Sequence, residues 1–161
     1  GEMDNYLFNY CKNLKSVWWK VKVNRIGVQC FGATGLEQFC VNAKNIDSCA
    51  FIGCEDLKEI HIRSGVENLN MTAFAMLTGI ETICLEGIDP DVMEADWVNL
   101  QNSTVTIMVP EDTTDEQLQL VTQKFASAYI IVNKSQVQKD SCQLSDDPMP
   151  DIDGIVGEYG I

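Results

Sequence analysis

The chain has 161 residues, of which 45% are hydrophobic, and 24 acidic residues against 11 basic ones give a formal net charge of −13. Length and hydrophobic content predict one structural domain with a sizeable core. The acidic balance repels phosphate backbones and argues against nucleic acid as a partner. No run of about 18 apolar residues is present that could span a membrane. The first residues lack a basic start followed by an apolar stretch, so we expect no signal peptide in this sequence.

Four units of similar layout follow one another from the start of the chain. Each has a phenylalanine anchor and ends in two branched or aromatic apolar residues spaced by two. The anchors are Phe8, Phe31, Phe51 and Phe74, at intervals of 23, 20 and 23 residues. One such unit makes a short strand and a turn but cannot bury its own apolar face. Self-similarity at this period therefore predicts a solenoid, in which stacked units share one core.

The third and fourth units show the pattern most clearly. Residues 50–62 and 73–85 both begin with Ala-Phe, continue with Cys or Leu three residues after the phenylalanine, and end in an Ile-x-Ile type of pair. This layout resembles the BspA-type leucine-rich repeats of bacterial surface proteins, over roughly residues 6–109. The resemblance implies an α/β repeat solenoid, right-handed and leucine-rich-repeat-like, with a single parallel sheet of short strands and irregular or 3₁₀-helical segments opposite.

The same resemblance implies a function. Proteins with such repeats use the solenoid for binding or adhesion, are commonly secreted or displayed on the cell surface, and are not enzymes. We therefore expect a non-catalytic module that binds a protein or glycan ligand and needs no cofactor. A structural spacer within a larger surface protein is the alternative.

The end of the chain departs from the repeat pattern. A degenerate fifth unit ends in Val105, Ile107 and Val109, which closes a solenoid over residues 1–109. We expect residues 110–133 to form a cap that covers the last repeat. This cap should contain a helix over 114–126 and a strand from Tyr129. Residues 134–161 predict an acidic, extended tail, since no lysine or arginine follows position 139.

The predicted strands place their apolar residues inward and the residues between them outward. The middle outward column is Trp18, Cys40, His61, Cys84 and Thr106. The column two residues earlier is Ser16, Gln38, Glu59, Thr82 and Thr104, and the column two residues later is Lys20, Asn42, Arg63, Glu86 and Met108. With the strands in register, these columns tile one exposed sheet face.

This face is the candidate ligand site, because it combines an aromatic side chain with polar and charged neighbours. The residues expected to contact a ligand are Trp18, Lys20, Gln38, Glu59, His61 and Arg63. Two other interpretations remain open. Trp18 can cap the first repeat, and the mixed charges also suit a solvated surface.

His61 is the one histidine of the sequence, and it lies between Cys40 and Cys84 in the middle column. These are the ligand types of a zinc site. Three residues along a flat ladder, however, span about 10 Å between the ends, and a fourth ligand is not evident, so we expect no metal. A metal- or thiol-dependent enzyme that uses His61 with Cys40 or Cys84 is the remaining alternative, although no familiar catalytic motif accompanies them.

The positions of the seven cysteines match the repeat pattern and do not suggest a disulfide framework. Cys11 and Cys54 hold the position that Leu77 holds in the fourth unit, where cysteine acts as a small apolar side chain. We therefore predict that both are buried and reduced, and that most of the other thiols are reduced as well.

Overall fold

A computed structural model describes five stretches of the chain, of which the last is described by its backbone alone: residues 1–17, 22–70, 72–87, 104–125 and 129–135. Several features predicted from the sequence lie outside them. These are Trp18, Lys20, most of the first predicted strand and the acidic tail from residue 136.

The described chain winds through two parallel sheets. The four-stranded sheet has the order β1-β2-β4-β6, with β1 at Glu2–Met3, β2 at Val23–Ile26, β4 at Ala43–Ile46 and β6 at Asn68–Leu69. The five-stranded sheet has the order β3-β5-β7-β8-β9, with β3 at Gln38–Val41, β5 at Glu59–Arg63, β7 at Thr82–Glu86, β8 at Thr104–Pro110 and β9 at Tyr129–Ser135. The repeat solenoid is confirmed, and the four-stranded sheet is an addition to the single sheet expected.

Stacked phenylalanine rings form the centre of the core. The ring centroids lie 5.3 Å apart for Phe8 and Phe31, 5.3 Å for Phe31 and Phe51, and 5.0 Å for Phe51 and Phe74. The ring planes differ by at most 19°. Each repeat therefore contributes one ring to a continuous column, as the anchor spacing predicts. Aromatic pairs at such distances add about 0.5–1.5 kcal/mol beyond the burial of their area.

The turns that carry these rings are also joined by backbone hydrogen bonds. The amides of Phe8, Phe31 and Phe51 donate to carbonyls of the next repeat at 2.7, 2.9 and 2.8 Å. Two residues after each anchor, the backbone enters the left-handed region, with φ between 51° and 67°, at Tyr10, Ala33, Gly53 and Met76. The turns that carry the anchors thus have the same shape and stack on one another, and hydrogen bonds between repeats satisfy their backbone groups.

The helix of the expected cap is present as α1, Asp115–Lys124. Thr114 and Gln117 form a capping box, in which each side chain accepts a hydrogen bond from the backbone amide of the other residue, at 3.2 and 3.0 Å. Val121 and Phe125 are buried against the core. The strand β9 then pairs with β8 over seven residue pairs and extends the five-stranded sheet.

The register corrects the fifth unit by two residues. Thr82 pairs with Thr106 and Cys84 pairs with Met108, so Met108 rather than Thr106 stands in the column of His61. Side chains alternate with a period of two along a strand, so a shift of two residues leaves every apolar side chain inward. The hydrophobic pattern cannot distinguish these two registers.

The two cysteines predicted to be buried differ. Cys54 is fully buried, and its sulfur lies 3.0 Å from the Phe31 carbonyl oxygen. Cys11 holds the same position in the first repeat but is exposed, together with Tyr6 and Tyr10, so its predicted burial is wrong. Within the described residues no further repeat packs against the outside of the first one. This position is buried only when a neighbouring repeat covers it.

The stacked rings give a prediction about stability. Replacing Phe51 with alanine removes a fully buried ring that stacks on both sides, so the free energy of unfolding should fall by about 3–5 kcal/mol in urea denaturation. Phe8→Ala is the matched control, because Phe8 is half-buried in the first repeat and should cost less. A loss below about 1 kcal/mol for Phe51→Ala would contradict the ring column.

The cysteine environments predict an order of reactivity. Burial raises the pKa of Cys30 to about 12 and also raises the pKa of Cys54, which suppresses the reactive thiolate of both. In native protein at pH 8, iodoacetamide should therefore modify Cys11 first and leave Cys30 and Cys54 unmodified, as read by peptide mass spectrometry. After unfolding, all three should react. Labelling of Cys54 as fast as Cys11 in the native state would refute this order.

Candidate functional site

The outward face of the five-stranded sheet carries two columns whose register the structure defines. The first is the strand-start column: Gln38, Glu59, Thr82 and Thr106. The second, central column is Cys40, His61, Cys84 and Met108. Beyond them, Arg63 on β5 is the register partner of Glu86 on β7. Burial alternates along β3, β5 and β8, which confirms the outward orientation predicted for Gln38, Cys40, Glu59, His61 and Arg63. Burial does not alternate along β7, where Thr82 and Cys84 are assigned to this face by their register with Glu59 and His61.

The face is accessible along one side only. In the strand-start column Gln38 is exposed, and the Glu59 side chain keeps 41% of its accessible surface. Across the face, the exposed fraction falls to 3% for Cys84, 4% for Asn42 and 0% for Glu86. The expectation that all three columns are exposed is therefore wrong for these residues. Register determines the side of the sheet, but it does not determine what covers that side.

Four side chains on β5 and β7 form the His61 cluster: Glu59, His61, Cys84 and Glu86. His61 Nδ1 lies 2.6 Å from Glu86 Oε1, and His61 Nε2 contacts Glu59 Oε1. The Cys84 sulfur completes a group in which one ligand atom from each of Glu59, His61 and Cys84 lies within 4.8 Å of the others. The imidazole is thus held between a fully buried carboxylate on one side and a half-exposed carboxylate on the other.

The neighbours of His61 determine its charge. Its pKa is raised from 6.5 to about 10, first by hydrogen bonding with Cys84 and then by the hydrogen bonds with Glu86 and Glu59, while burial acts in the opposite direction. The ring is therefore protonated at neutral pH, and both N–H groups donate to carboxylates. A buried carboxylate such as Glu86 is costly unless a group of opposite charge compensates it, and the imidazolium does so.

The comparisons with known proteins concern the start of the chain. The family model described as BspA type leucine rich repeat region (6 copies) matches residues 1–45. Residues 1–45 are therefore similar to BspA-type leucine-rich repeats. Neither the curated proteins nor the solved structures gave a significant match. No helix among the residues that the structure describes is long and apolar enough to cross a membrane.

Of the six residues expected to contact a ligand, Trp18 and Lys20 lie outside the described residues, and the other four do not form one patch. Gln38, Glu59 and His61 lie together, and Gln38 Nε2 is 3.4 Å from His61 Nε2. Arg63 is half-buried with a buried Nη1 atom, and it lines a separate cavity of about 160 Å³ with Lys22 and Gly65. Sequence reasoning placed Glu86 in an outer column and missed its contact with His61. That contact is diagonal across the strands, and a column pattern does not reveal it.

The thiol chemistry considered from the sequence gains little support. Cys40 is disulfide-bonded, so it offers neither a free thiol nor a metal ligand. Cys84, His61 and Glu86 have the residue types of a nucleophile, a base and an orienting acid. However, Cys84 is only 3% exposed and its sulfur lies 3.9 Å from Met108 Sδ, which leaves a substrate little access.

The His61 cluster predicts a second effect on stability. In His61→Ala, Glu86 loses the hydrogen bond from the ring while it remains buried, and the free energy of unfolding should fall by about 1–3 kcal/mol. Lys44→Ala is the control, because the Lys44–Glu67 pair at 3.0 Å is exposed and should contribute under about 1 kcal/mol. Equal losses for the two variants in urea denaturation would show that the cluster is not a stabilising network.

Proposed function

We propose that this chain is a non-catalytic binding module that recognises a protein ligand through the strand-start column of its five-stranded sheet. The observation that supports this proposal is the column itself. Its four polar residues are in register on four successive strands, and they lie on the accessible side of the face. Adhesion at the cell surface, or secretion, is the setting that the repeat type favours.

The side chains of this column suit polar recognition. An amide, a carboxylate and two hydroxyl groups recur at the strand spacing of about 4.8 Å, and they supply both donors and acceptors. The strands that carry them bury their inward side chains in the core, and a column formed before binding loses less ordering entropy. The net charge of −13 favours a partner with a basic surface, chiefly by raising the association rate.

The proposal replaces part of the expected contact set. Gln38 and Glu59 remain contact residues, and His61 supports Glu59 from behind. Arg63 contributes less, since part of its guanidinium is buried. Trp18 and Lys20 stay candidates on the strength of the sequence pattern alone.

A matched pair of substitutions tests the proposal. Thr82→Arg adds a long cationic side chain at the middle of the column, and Asn68→Arg adds the same side chain on the exposed surface of the four-stranded sheet. Wild type is first screened against an array of purified extracellular proteins and glycans, and each hit is then titrated by surface plasmon resonance. Thr82→Arg should weaken binding at least about tenfold, a loss of about 1.4 kcal/mol, and Asn68→Arg should leave it unchanged.

The outcomes separate the alternatives. Loss of affinity in Asn68→Arg alone would move the contact to the other sheet and refute the proposal. Binding that survives both substitutions, or an array without a reproducible hit, would favour the spacer. Melting curves of both variants must match wild type, because both positions are outside the core.

A further inference from the structure

We propose that the His61 cluster binds one zinc ion, with Glu59, His61 and Cys84 as ligands and Glu86 as the residue that orients the imidazole. The inference shares Glu59 with the protein-binding proposal, but it is argued from a different observation, the contact of His61 with the buried Glu86. It differs from the set considered in the sequence, where Cys40 took the place that Glu59 takes here.

The donor atoms are those that zinc prefers. Zinc binds carboxylate oxygen and imidazole nitrogen at about 2.0–2.2 Å and thiolate sulfur at about 2.3 Å. In a tetrahedron these bond lengths separate the ligand atoms by roughly 3.3–3.8 Å. The three candidate atoms already lie within 4.8 Å of one another. The site therefore forms by small side-chain rotations, which open the close Glu59–His61 contact and bring the Cys84 sulfur inward.

Glu86 is the second observation that points to a metal. Its carboxylate is fully buried, and Oε1 lies 2.6 Å from His61 Nδ1. A histidine that ligates zinc usually donates its other ring N–H to a carboxylate or a carbonyl, which fixes the tautomer and the ring orientation. With Nδ1–H directed to Glu86, Nε2 faces Glu59 and is the nitrogen available to the ion.

The position of the cluster in the sheet removes the objection raised by the sequence. Three ligands along one column would be too far apart, but this set needs only two strands. His61 and Cys84 are direct register partners on β5 and β7, and Glu59 lies two residues from His61 on the same face. Three protein ligands leave a fourth position for water or for a donor group from a partner.

Binding the ion requires a defined exchange of protons. The zinc ion replaces the proton on His61 Nε2 and binds Cys84 as the thiolate, and each displaced proton passes to solvent. Glu59 binds as the carboxylate, and Nδ1 keeps its proton. No oxidation or reduction occurs. The competing state is the metal-free cluster, in which a protonated His61 bridges Glu59 and Glu86.

The experiment uses the full chain, freed of metal by chelation and kept under anaerobic conditions. Isothermal titration with zinc chloride should give one ion per chain. Substitution with cobalt(II) should give a thiolate-to-metal charge-transfer band and the intense visible bands of a tetrahedral site. His61→Ala and Cys84→Ser should each weaken zinc binding at least about a hundredfold, and Glu86→Gln should weaken it about 10–100-fold because it removes only the orienting carboxylate.

Cys49→Ser is the matched control, because Cys49 is a free, half-buried cysteine outside the cluster and its loss should leave zinc binding unchanged. The cobalt spectrum of wild type tests the proposal even where a variant folds poorly. A stoichiometry below one, a cobalt spectrum without the sulfur band, or unchanged zinc affinity in Cys84→Ser would each overturn it. The metal-free cluster would then be the resting state.

Discussion

The fold depends on the constraint that each repeat must complete its core with the repeat beside it. Phe51 is fully buried because Phe31 stacks on one of its sides and Phe74 on the other. The backbone hydrogen bonds between neighbouring turns also keep these rings at a similar spacing along the solenoid. At Cys11, which no other repeat covers among the described residues, the same sequence position is exposed. Burial in this molecule is therefore a property of neighbouring pairs of repeats.

The same register builds the candidate site. His61 and Glu86 are 25 residues apart in sequence but one strand apart in space. A carboxylate that is 0% exposed would be destabilising by itself, and here the imidazolium offsets that cost with a direct hydrogen bond. Glu59 adds a second carboxylate on the opposite ring nitrogen. The site is thus polar and partly buried, between the accessible strand-start column and the covered side of the face.

Sequence reasoning predicted the features that repeat and missed those that occur once. The anchors Phe31, Phe51 and Phe74 recur with the same neighbours, so their spacing predicts both the solenoid and the stacked core. The four-stranded sheet was missed because its strands have two to four residues, in which apolar residues do not alternate with polar ones. The fifth strand was displaced by two residues because that shift preserves the inward face.

The part of the site that follows from the repeat was predicted, and the part that occurs once was not. A column pattern brings His61 next to Cys84, and the structure confirms this pair. It gives no information on the diagonal contact to Glu86, on the disulfide at Cys40, or on the cover over Cys84. These depend on side-chain rotamers and on contacts outside the repeat.

Glu59 connects the two proposals, because it belongs to the strand-start column and to the His61 cluster. A protein ligand that needs the free Glu59 carboxylate would compete with zinc, whereas a ligand that donates a group to the fourth position of the ion would bind more tightly in its presence. Thermodynamic linkage makes either effect reciprocal, so the ion must change the affinity for the protein by the same factor as the protein changes the affinity for the ion. A ligand that contacts only Gln38 and Thr106 would show no coupling. The sign of this coupling therefore reports which part of the column a ligand uses.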